Sequence, residues 1–364
     1  GDMYKGYVIT NTFTTPEETI RVPVTKVWED NNNEAQKRPE NVTLQIKNED
    51  QVVDTAVIDK EDEWKHEFTV AKYDDNGKEI NYTVDEVDLG NKFYTKETIE
   101  GNMIDGYVIT NKFKVPDEKV EVTVNKIWND NETQSQKRPE TITIKLLGEN
   151  QEEVDRYSLN TATETNHTFT NLNKYDSLGN EINYTVTEEG NNEFYTLKEI
   201  TGNMQEGYTI TNEFTRPTET INLTVNKIWN DNEVQSQRRP ETIRIVVKNE
   251  EGIIVSSQEI NATDNAVEEK ENQWTVTFTG LDKYNENGQE IKYTVDEEEI
   301  TQGDLKFYSN KVITDVVDNQ ATITNTFTKP QDTIDLSINK VWEDNNNING
   351  KRPESIELVV TGNG

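Results

Sequence analysis

The stretch VTVNKIW, residues 122–128, decides the fold class because its side chains alternate between two faces. Successive side chains of a β-strand point to opposite faces of a sheet, so Val122, Val124, Lys126 and Trp128 share one face. Three of these four are residue types common in protein interiors, and the fourth is a lysine. The pattern predicts a strand that carries one charged side chain on its apolar face.

The same strand recurs along the 364-residue chain. Its tryptophan stands at Trp28, Trp128, Trp229 and Trp342, with spacings of 100, 101 and 113. A second marker, IT-N-x-F, places asparagines at Asn11, Asn111, Asn212 and Asn325, again 100, 101 and 113 residues apart. Two markers that keep the same irregular spacing define one repeating unit.

We predict three complete repeats at 16–115, 116–216 and 217–329. Residues 1–15 match the closing strand of a truncated preceding repeat, and residues 330–364 match the first part of a truncated following repeat. A proline lies in each short junction, which favours an extended arrangement of the repeats. The third repeat is longer, mostly through DNAVEEKEN at 264–272, which we interpret as an exposed acidic hairpin or loop.

The strand pattern also predicts the fold class. Short β-branched and aromatic runs alternate with turns rich in Gly, Asn and Asp, as in YDDNGKEINYTV at 73–84. Several short strands in about 100 residues predict an all-β chain of tandem β-sandwich domains.

Composition excludes several classes of function. The net charge is −33 and the pI about 4.4, which argues against nucleic acid and anionic membrane surfaces as partners. The sequence has no cysteine and only two histidines, His66 and His167, which we interpret as ordinary surface or edge residues. We therefore expect no metal and no cofactor. No apolar run reaches the roughly 18 residues of a membrane span, so we expect no direct membrane insertion.

Two further strands carry a polar residue on an otherwise apolar face. The strand YVITNKF at 107–113 places an asparagine there, and I-x-Y-T-V-x-E at 80–86 places a glutamate. Across the complete repeats the lysines are Lys26, Lys126 and Lys227, the glutamates are Glu86, Glu188 and Glu297, and the asparagines are Asn111, Asn212 and Asn325. Each repeat thus contributes one lysine, one glutamate and one asparagine to its predicted interior.

These three residue types together permit a specific chemistry. Burial makes a lysine lose its proton more easily and a glutamate hold its proton more tightly. A neutral amine is a nucleophile, and a neutral glutamic acid could polarise the asparagine amide and shuttle protons. The product would be a Lys–Asn isopeptide bond with release of one ammonia. A buried ion pair, with the asparagine satisfying a backbone group, is the alternative that the residues leave open.

The motifs resemble a known family. VTVNKIWNDNETQSQKRPETITIKL, EINYTVTE and GYTITNEF are similar to the Cna B-type repeats of Gram-positive surface adhesins, and the similarity extends over nearly the whole chain. The resemblance implies a transthyretin-like, inverse immunoglobulin β-sandwich. It also implies isopeptide bonds that join Lys26 to Asn111, Lys126 to Asn212 and Lys227 to Asn325, assisted by Glu86, Glu188 and Glu297 as acid/base residues.

The resemblance further implies a function. We expect a structural stalk or spacer of a bacterial adhesin, cross-linked against force and proteolysis, and not an enzyme with turnover. Its location would be the extracellular, cell-wall-attached surface of a Gram-positive bacterium. The sequence contains neither the sortase-type LPxTG signal nor the pilin-type YPK lysine motif. We therefore expect the cell-wall anchor to lie outside this sequence, and we do not expect the protein to polymerise as a pilus shaft. The expected partners are neighbouring repeats, with any host matrix ligand bound by another domain; the alternative is an adhesive module that binds such a ligand directly.

One more recurrent element is the loop after each tryptophan, such as WNDNETQSQKRPE at 128–140. Its Asp and Asn spacing is faintly similar to a calcium loop but lacks the glycine and closing glutamate of an EF-hand. The alternative is an ion pair between the aspartate and the arginine that precedes the proline. We interpret the tryptophans at 28, 128 and 229 as core anchors and not as platforms for sugar stacking.

Overall fold

The computed structural model describes residues 1–267, 270–298 and 305–362. Apart from one short α-helix and several 3-10 turns, its regular structure is all β-strand, arranged in several separate sheets. This confirms the predicted class of tandem β-sandwich domains. The chain divides into two compact units, Gly1–Pro217 and Thr218–Gly364. Within the described ranges, no helix has the length and apolar character needed to cross a bilayer.

The first unit begins with a sandwich of eight strands. They are β1 (Thr19–Glu29), β2 (Asn41–Asn48), β3 (Gln51–Asp59), β4 (Lys65–Ala71), β5 (Tyr82–Glu86), β6 (Tyr94–Lys96), β7 (Glu100–Asn102) and β8 (Gly106–Phe113). The larger sheet has the order β4-β1-β8-β6, with β7 also paired to β8, and the smaller sheet has the order β3-β2-β5.

The same unit contains a second sandwich with the same plan. Its strands are β9 (Lys119–Asn129), β10 (Thr141–Leu147), β11 (Glu153–Asn160), β12 (Asn166–Asn173), β13 (Thr185–Glu189), β14 (Tyr195–Asn203) and β15 (Gly207–Phe214). The sheet orders are β12-β9-β15-β14 and β11-β10-β13. Short 3-10 turns cover Gln134–Lys137 and Glu149–Gln151.

The second unit holds the third sandwich. Its strands are β16 (Thr220–Asn230), β17 (Thr242–Lys248), β18 (Ile254–Asn261), β19 (Ala266–Val267), β20 (Lys270–Asp282), β21 (Thr294–Glu298), β22 (Asn310–Ile313) and β23 (Gln320–Thr326). This sandwich also contains one short helix, α1 (Ala262–Asn265), and 3-10 turns at Gln235–Arg238 and Leu305–Tyr308. A further 3-10 turn at Asn345–Asn347 lies in the terminal segment that follows the sandwich. The sheets are β19-β20-β16-β23-β22 and β18-β17-β21.

The acidic insertion predicted at 264–272 is only partly described. This segment contains the last residues of α1, the whole of β19 and the first residues of β20. Strand β19 pairs antiparallel with β20. Residues 268 and 269, and most of the side chains on which the predicted exposure depends, lie outside the described residues.

The two terminal segments differ from the complete repeats. Residues 1–15 contain an isolated bridge between Asp2 and Gly6 but no paired strand, and the described residues after Thr326 form no strand. Their alternating sequences predict strands, yet Ile334 is 90% exposed. A β-strand needs a neighbour for its backbone hydrogen bonds, and these segments pair with none in the described part of the chain.

The first and last strands of each sandwich are parallel neighbours. In the first repeat, β1 pairs with β8 so that Lys26 lies opposite Ile109 and Trp28 opposite Asn111. The pairs β9/β15 and β16/β23 have the same register. Parallel strands need a long crossover connection, and here the rest of the repeat provides it. The register brings the lysine and asparagine to neighbouring positions on one face.

Each core lies between the two sheets of its sandwich. In the middle repeat the fully buried side chains include Val122, Val124, Ile144, Leu146 and Ile210. Each aliphatic side chain buried in this way contributes roughly 1.5–3 kcal/mol. The tryptophans also pack against these cores: Trp229 is completely buried, whereas Trp28 and Trp128 are half-buried.

The first two repeats contact each other within the unit Gly1–Pro217. Phe93 meets Tyr175 edge-on with ring centroids 5.5 Å apart, and Lys92 Nζ lies 3.1 Å from Glu118 Oε1. The aromatic contact contributes about 0.5–1.5 kcal/mol beyond its buried area, and the exposed ion pair contributes less because water and salt screen it. These contacts make the neighbouring repeat a packing partner.

Two adjacent leucines test the inward face of β10. Leu146 is fully buried and Leu147 is half-exposed on the other face. Leu146→Ala leaves a cavity and should lower the free energy of unfolding of the middle repeat by about 2–5 kcal/mol. Leu147→Ala, the matched control, should cost less than about 1 kcal/mol. Hydrogen exchange of the β10 amides in the whole chain measures the loss in free energy of unfolding for both variants. Equal losses would contradict the assignment of Leu146 to the inward face.

Candidate functional site

The structure brings together the lysine, glutamate and asparagine of the first repeat. Lys26 Nζ lies 3.4 Å from Glu86 Oε2, and Asn111 Nδ2 donates a hydrogen bond of 2.7 Å to Glu86 Oε1. The side chains of Lys26 and Glu86 are 0% and 3% exposed. Lys26 and Asn111 come from β1 and β8 of the larger sheet, whereas Glu86 reaches them from β5 of the smaller sheet.

The other complete repeats have the same arrangement. Lys126 Nζ is 3.5 Å from Glu188 Oε2, and Lys227 Nζ is 3.5 Å from Glu297 Oε2. The asparagine Nδ2 atoms of Asn212 and Asn325 donate to the other glutamate oxygen at 2.5 Å and 2.8 Å. In each case one carboxylate therefore contacts both the amine and the amide.

A tight turn and a tyrosine position the glutamate strand. Asp74 Oδ1 accepts hydrogen bonds from the backbone N–H groups of Asn76 and Lys78, and Gly77 follows with a φ of 76°. That left-handed conformation is easily adopted only by glycine. Beyond the turn, the Tyr82 hydroxyl donates to the Ala71 carbonyl at 2.9 Å, which ties β5 to the end of β4. These contacts set the register that points Glu86 inward.

Burial alters the protonation of the lysines. Removal from water lowers the pKa of Lys26, Lys126 and Lys227 from 10.5 to about 8, although the facing glutamate opposes the shift. The ammonium is also close to an aromatic ring, since Nζ lies 4.4 Å, 4.1 Å and 3.9 Å from the centroids of Trp28, Trp128 and Trp229. An amine with a pKa near 8 is neutral in a substantial fraction of molecules at neutral to mildly basic pH.

The asparagine presents an amide with one free side. Its Nδ2 is held by the glutamate, but Asn111 Oδ1 is buried and accepts no hydrogen bond. The same is true of Asn212 Oδ1 and Asn325 Oδ1. Buried polar atoms normally have partners, and exceptions indicate strain or a chemical role. In each complete repeat the amide oxygen therefore lies in the interior with its hydrogen-bonding capacity unused.

An aspartate–arginine pair closes the loop above the tryptophan. Arg38 donates to both oxygens of Asp30, each at 2.6 Å, and its guanidinium lies 5.5 Å from the centre of the Trp28 ring. The pairs Arg138–Asp130, Arg239–Asp231 and Arg352–Asp344 repeat this contact. The predicted ion pair between the aspartate and the arginine that precedes the proline is thus confirmed. Among the described residues, no group of three or more His, Cys, Asp or Glu is placed to hold a metal.

Sequence reasoning missed the tyrosine of this cluster. The Tyr94 hydroxyl donates to Asp30 Oδ2 at 2.8 Å, and its ring meets Trp28 edge-on at 4.9 Å. Tyr195 and Tyr308 make the same contacts with Asp130 and Asp231. The Phe-Tyr pair that recurs at 93–94, 194–195 and 307–308 is the signal that could have identified it.

The histidines lie in equivalent strands, β4 and β12, and are half-buried. His66 meets the ring of Phe68 edge-on, and His167 stacks on Tyr157 with ring centroids 3.6 Å apart. Both strands lie at an edge of their sheet, as predicted, although the side chains are less exposed than surface residues.

Three recurring sites in three related sandwiches define a repeat protein, and comparison with known families agrees. The model of the Cna protein B-type domain matches residues 22–112, 122–213, 223–326 and 336–364. The chain belongs to the Cna protein B-type domain family.

One curated protein and two solved structures are also similar to the chain. The chain is 35% identical over 361 residues to the collagen adhesin of Staphylococcus aureus, a match that covers 99% of the chain but 28% of that protein. The chain thus spans little more than a quarter of the curated relative. Two B repeat units of the S. aureus collagen binding protein are 30% identical, with 85% and 75% of the two chains covered and a TM-score of 0.36. A single B repeat unit is 33% identical, with 54% and 100% covered and a TM-score of 0.25.

The lowered lysine pKa predicts a pH-dependent stability. Asn111→Ala keeps Lys26 as a free amine, with a pKa of about 8 when folded and 10.5 when unfolded. Between these pH values the unfolded chain binds more protons, so the free energy of unfolding should rise from pH 8 to about 10.5. Below pH 8 both states are protonated and this gain is absent. Urea unfolding of the first repeat at several pH values measures this rise in the free energy of unfolding. The double variant Asn111→Ala/Lys26→Met should not show the rise. If the free energy of unfolding of the double variant rose just as steeply with pH, the effect could not be assigned to Lys26.

Proposed function

We propose that each complete repeat forms an intramolecular Lys–Asn isopeptide bond and that the array acts as a stalk of a surface adhesin. The bonds would join Lys26 to Asn111, Lys126 to Asn212 and Lys227 to Asn325. The observation that carries the proposal is the buried carboxylate, which in all three repeats contacts the lysine amine through one oxygen and the asparagine amide through the other.

The proposed reaction is an amide exchange within the folded chain. Neutral Lys126 Nζ attacks Asn212 Cγ, and Glu188 relays one proton from Nζ to Nδ2. The Nζ–Cγ bond forms, the Cγ–Nδ2 bond breaks, and Nδ2 leaves as ammonia. Glu86 and Glu297 have the same acid/base role in the other repeats. Each site reacts once with its own chain, so the proposal includes no turnover.

The location of the bond gives it a mechanical consequence. It would connect the first strand of a repeat to the last, and these strands are already parallel neighbours. Force applied to the chain ends would then pass from one strand to the other, and the residues between them would bear little load. By analogy with a disulfide, closing such a loop adds up to about 4.5 kcal/mol per repeat through restriction of the unfolded chain. Fraying of the terminal strands, which exposes sites to proteases, would also be suppressed.

Family membership and the relatives support the adhesin setting. The relative is named a collagen adhesin, and its shared region with this chain is a minor part of its length. We propose a cell-wall-attached, extracellular location on a Gram-positive bacterium, with the anchor and a ligand-binding domain elsewhere in the protein. The relative's name also favours a second candidate, in which these repeats themselves bind a host matrix ligand.

Intact mass tests the cross-links. The purified chain should weigh less than its sequence by three ammonia masses. Glu188→Ala or Lys126→Ala should restore one of them and lower the free energy of unfolding of the middle repeat by up to about 4.5 kcal/mol. Lys198→Ala, which removes a lysine whose side chain is 43% exposed, should restore none. A mass equal to that of the unmodified sequence would falsify the proposed reaction.

A binding screen separates the stalk from the adhesive module. Immobilised collagens, fibronectin, fibrinogen and laminin would be titrated with the whole chain. The stalk predicts no saturable binding, because the ligand-binding domain lies elsewhere. Saturable binding to one of these proteins, lost on competition with soluble ligand, would overturn the stalk in favour of direct adhesion.

A further inference from the structure

The middle repeat contains an additional polar residue at the lysine–glutamate–asparagine site. Asn191, in the loop between β13 and β14, donates from Nδ2 to Glu188 Oε1 at 2.9 Å. Its Oδ1 accepts a short hydrogen bond from Asn212 Nδ2. Asn212 Nδ2 also donates to Glu188 Oε1. These three side chains form a closed ring of hydrogen bonds around the carboxylate.

Both amides turn their nitrogen towards the same carboxyl oxygen. Asn191 Nδ2 and Asn212 Nδ2 each donate a hydrogen bond to Glu188 Oε1. Asn191 Oδ1 then faces the NH2 of Asn212, and Asn212 Oδ1 is left without a hydrogen-bond partner. The amide of Asn212 is thereby held with its nitrogen towards the acid and its oxygen away from it.

The first repeat has a different environment at the same place. Three residues after its glutamate stands Leu89 instead of asparagine. Glu86, Leu89 and Asn111 line an open cavity of about 180 Å³. In the middle repeat Asn191 contacts both Glu188 and Asn212. The side chains of Glu188 and Glu86 are both buried.

The charges beside the glutamate also differ between the repeats. In the first repeat Lys96 Nζ lies 2.6 Å from Asp85 Oδ1, next to Glu86, and in the third Lys311 makes the same contact with Asp296. The middle repeat has Thr187 and Leu197 at the corresponding positions and lacks this ion pair. Asn191 therefore supplies polar contacts to a site whose neighbouring strands provide fewer of them.

We propose that Asn191 is a fourth reaction-site residue of the middle repeat, which holds the departing nitrogen of Asn212. This rests on the proposed isopeptide reaction. When Lys126 Nζ bonds to Cγ, Nδ2 takes up a proton and leaves as ammonia. Asn191 Oδ1 accepts a hydrogen from that nitrogen before and during its departure, and Asn191 Nδ2 keeps Glu188 aligned for the proton transfer. A hydrogen bond donated by a nitrogen that gains positive character strengthens as the reaction proceeds.

The rate of cross-linking in the whole chain tests this role. The chain would be made in a short pulse of cell-free synthesis, incubated at pH 5 to 9, quenched and digested. Mass spectrometry would follow the peptide that joins Lys126 to Asn212, with the peptide that joins Lys26 to Asn111 as an internal clock. Asn191→Leu, which introduces the residue type of the first repeat, should slow the middle bond about tenfold, the factor that 1.36 kcal/mol of barrier produces. The first-repeat clock should be unchanged.

A conservative variant separates chemistry from folding. Asn191→Asp retains an acceptor for Asn212 but can donate to Glu188 only when protonated. The introduced carboxyl lies beside that of Glu188, which raises its pKa above the ordinary value of about 3.9. The rate relative to wild type should therefore be highest at pH 5 and fall as the pH rises. A middle bond that forms at the wild-type rate in Asn191→Leu would overturn the role. Equal slowing of both variants at every pH would also overturn it, because that result indicates a structural contact. Absence of cross-linked peptides from every repeat of the wild-type chain would instead contradict the isopeptide reaction itself.

Discussion

The burial of a lysine nitrogen between two sheets is the constraint on which each repeat depends. An unpaired buried charge costs several kcal/mol, so Lys26 needs a partner in the interior. Glu86 supplies it from the opposite sheet, and Asn111 binds the same carboxylate from the neighbouring strand. A slip of one residue in any of the three strands would turn one of these groups to the other face. The polar cluster thus couples the registers of both sheets, whether or not a covalent bond follows.

The repeats share this cluster but surround it differently. The aspartate–arginine–tyrosine contacts recur and hold the tryptophan against the lysine in each complete repeat. The loop after the glutamate varies in length and sequence, with Leu89 beside an open cavity in one repeat and Asn191 on the amide in another. A constant core with variable loops would allow the proposed reaction to run at different rates along one chain. It also leaves the ends of the sandwiches free to form contacts such as that of Phe93 with Tyr175.

Much of the site could be predicted because strand alternation is a local property. The alternation of side chains between two strand faces was enough to assign Lys126, Glu188 and Asn212 to interior faces. The family resemblance then indicated that these three residues belong to one site. The ion pair of Asp30 with Arg38 was one of two alternatives and needed coordinates to be chosen. Tyr94 was missed because its partner Asp30 is 64 residues away. Asn191 was missed because it lies in a loop, where no alternating pattern indicates the direction of a side chain. Alternation also predicted strands in the terminal segments, where no neighbouring strand pairs with the backbone.

The sequence by itself determined the repeat length, the strands and the side chains that face inward. These follow from a period of two residues and from recurring motifs, which need no knowledge of distant contacts. Only the tertiary structure decided that one carboxylate contacts both the amine and the amide, and that the amide oxygen of Asn212 has no hydrogen-bond partner. Those features depend on the parallel pairing of first and last strands and on the packing of two sheets. The parallel pairing joins residues more than 80 positions apart in the chain, and Lys126 and Glu188, which meet from opposite sheets, are 62 positions apart.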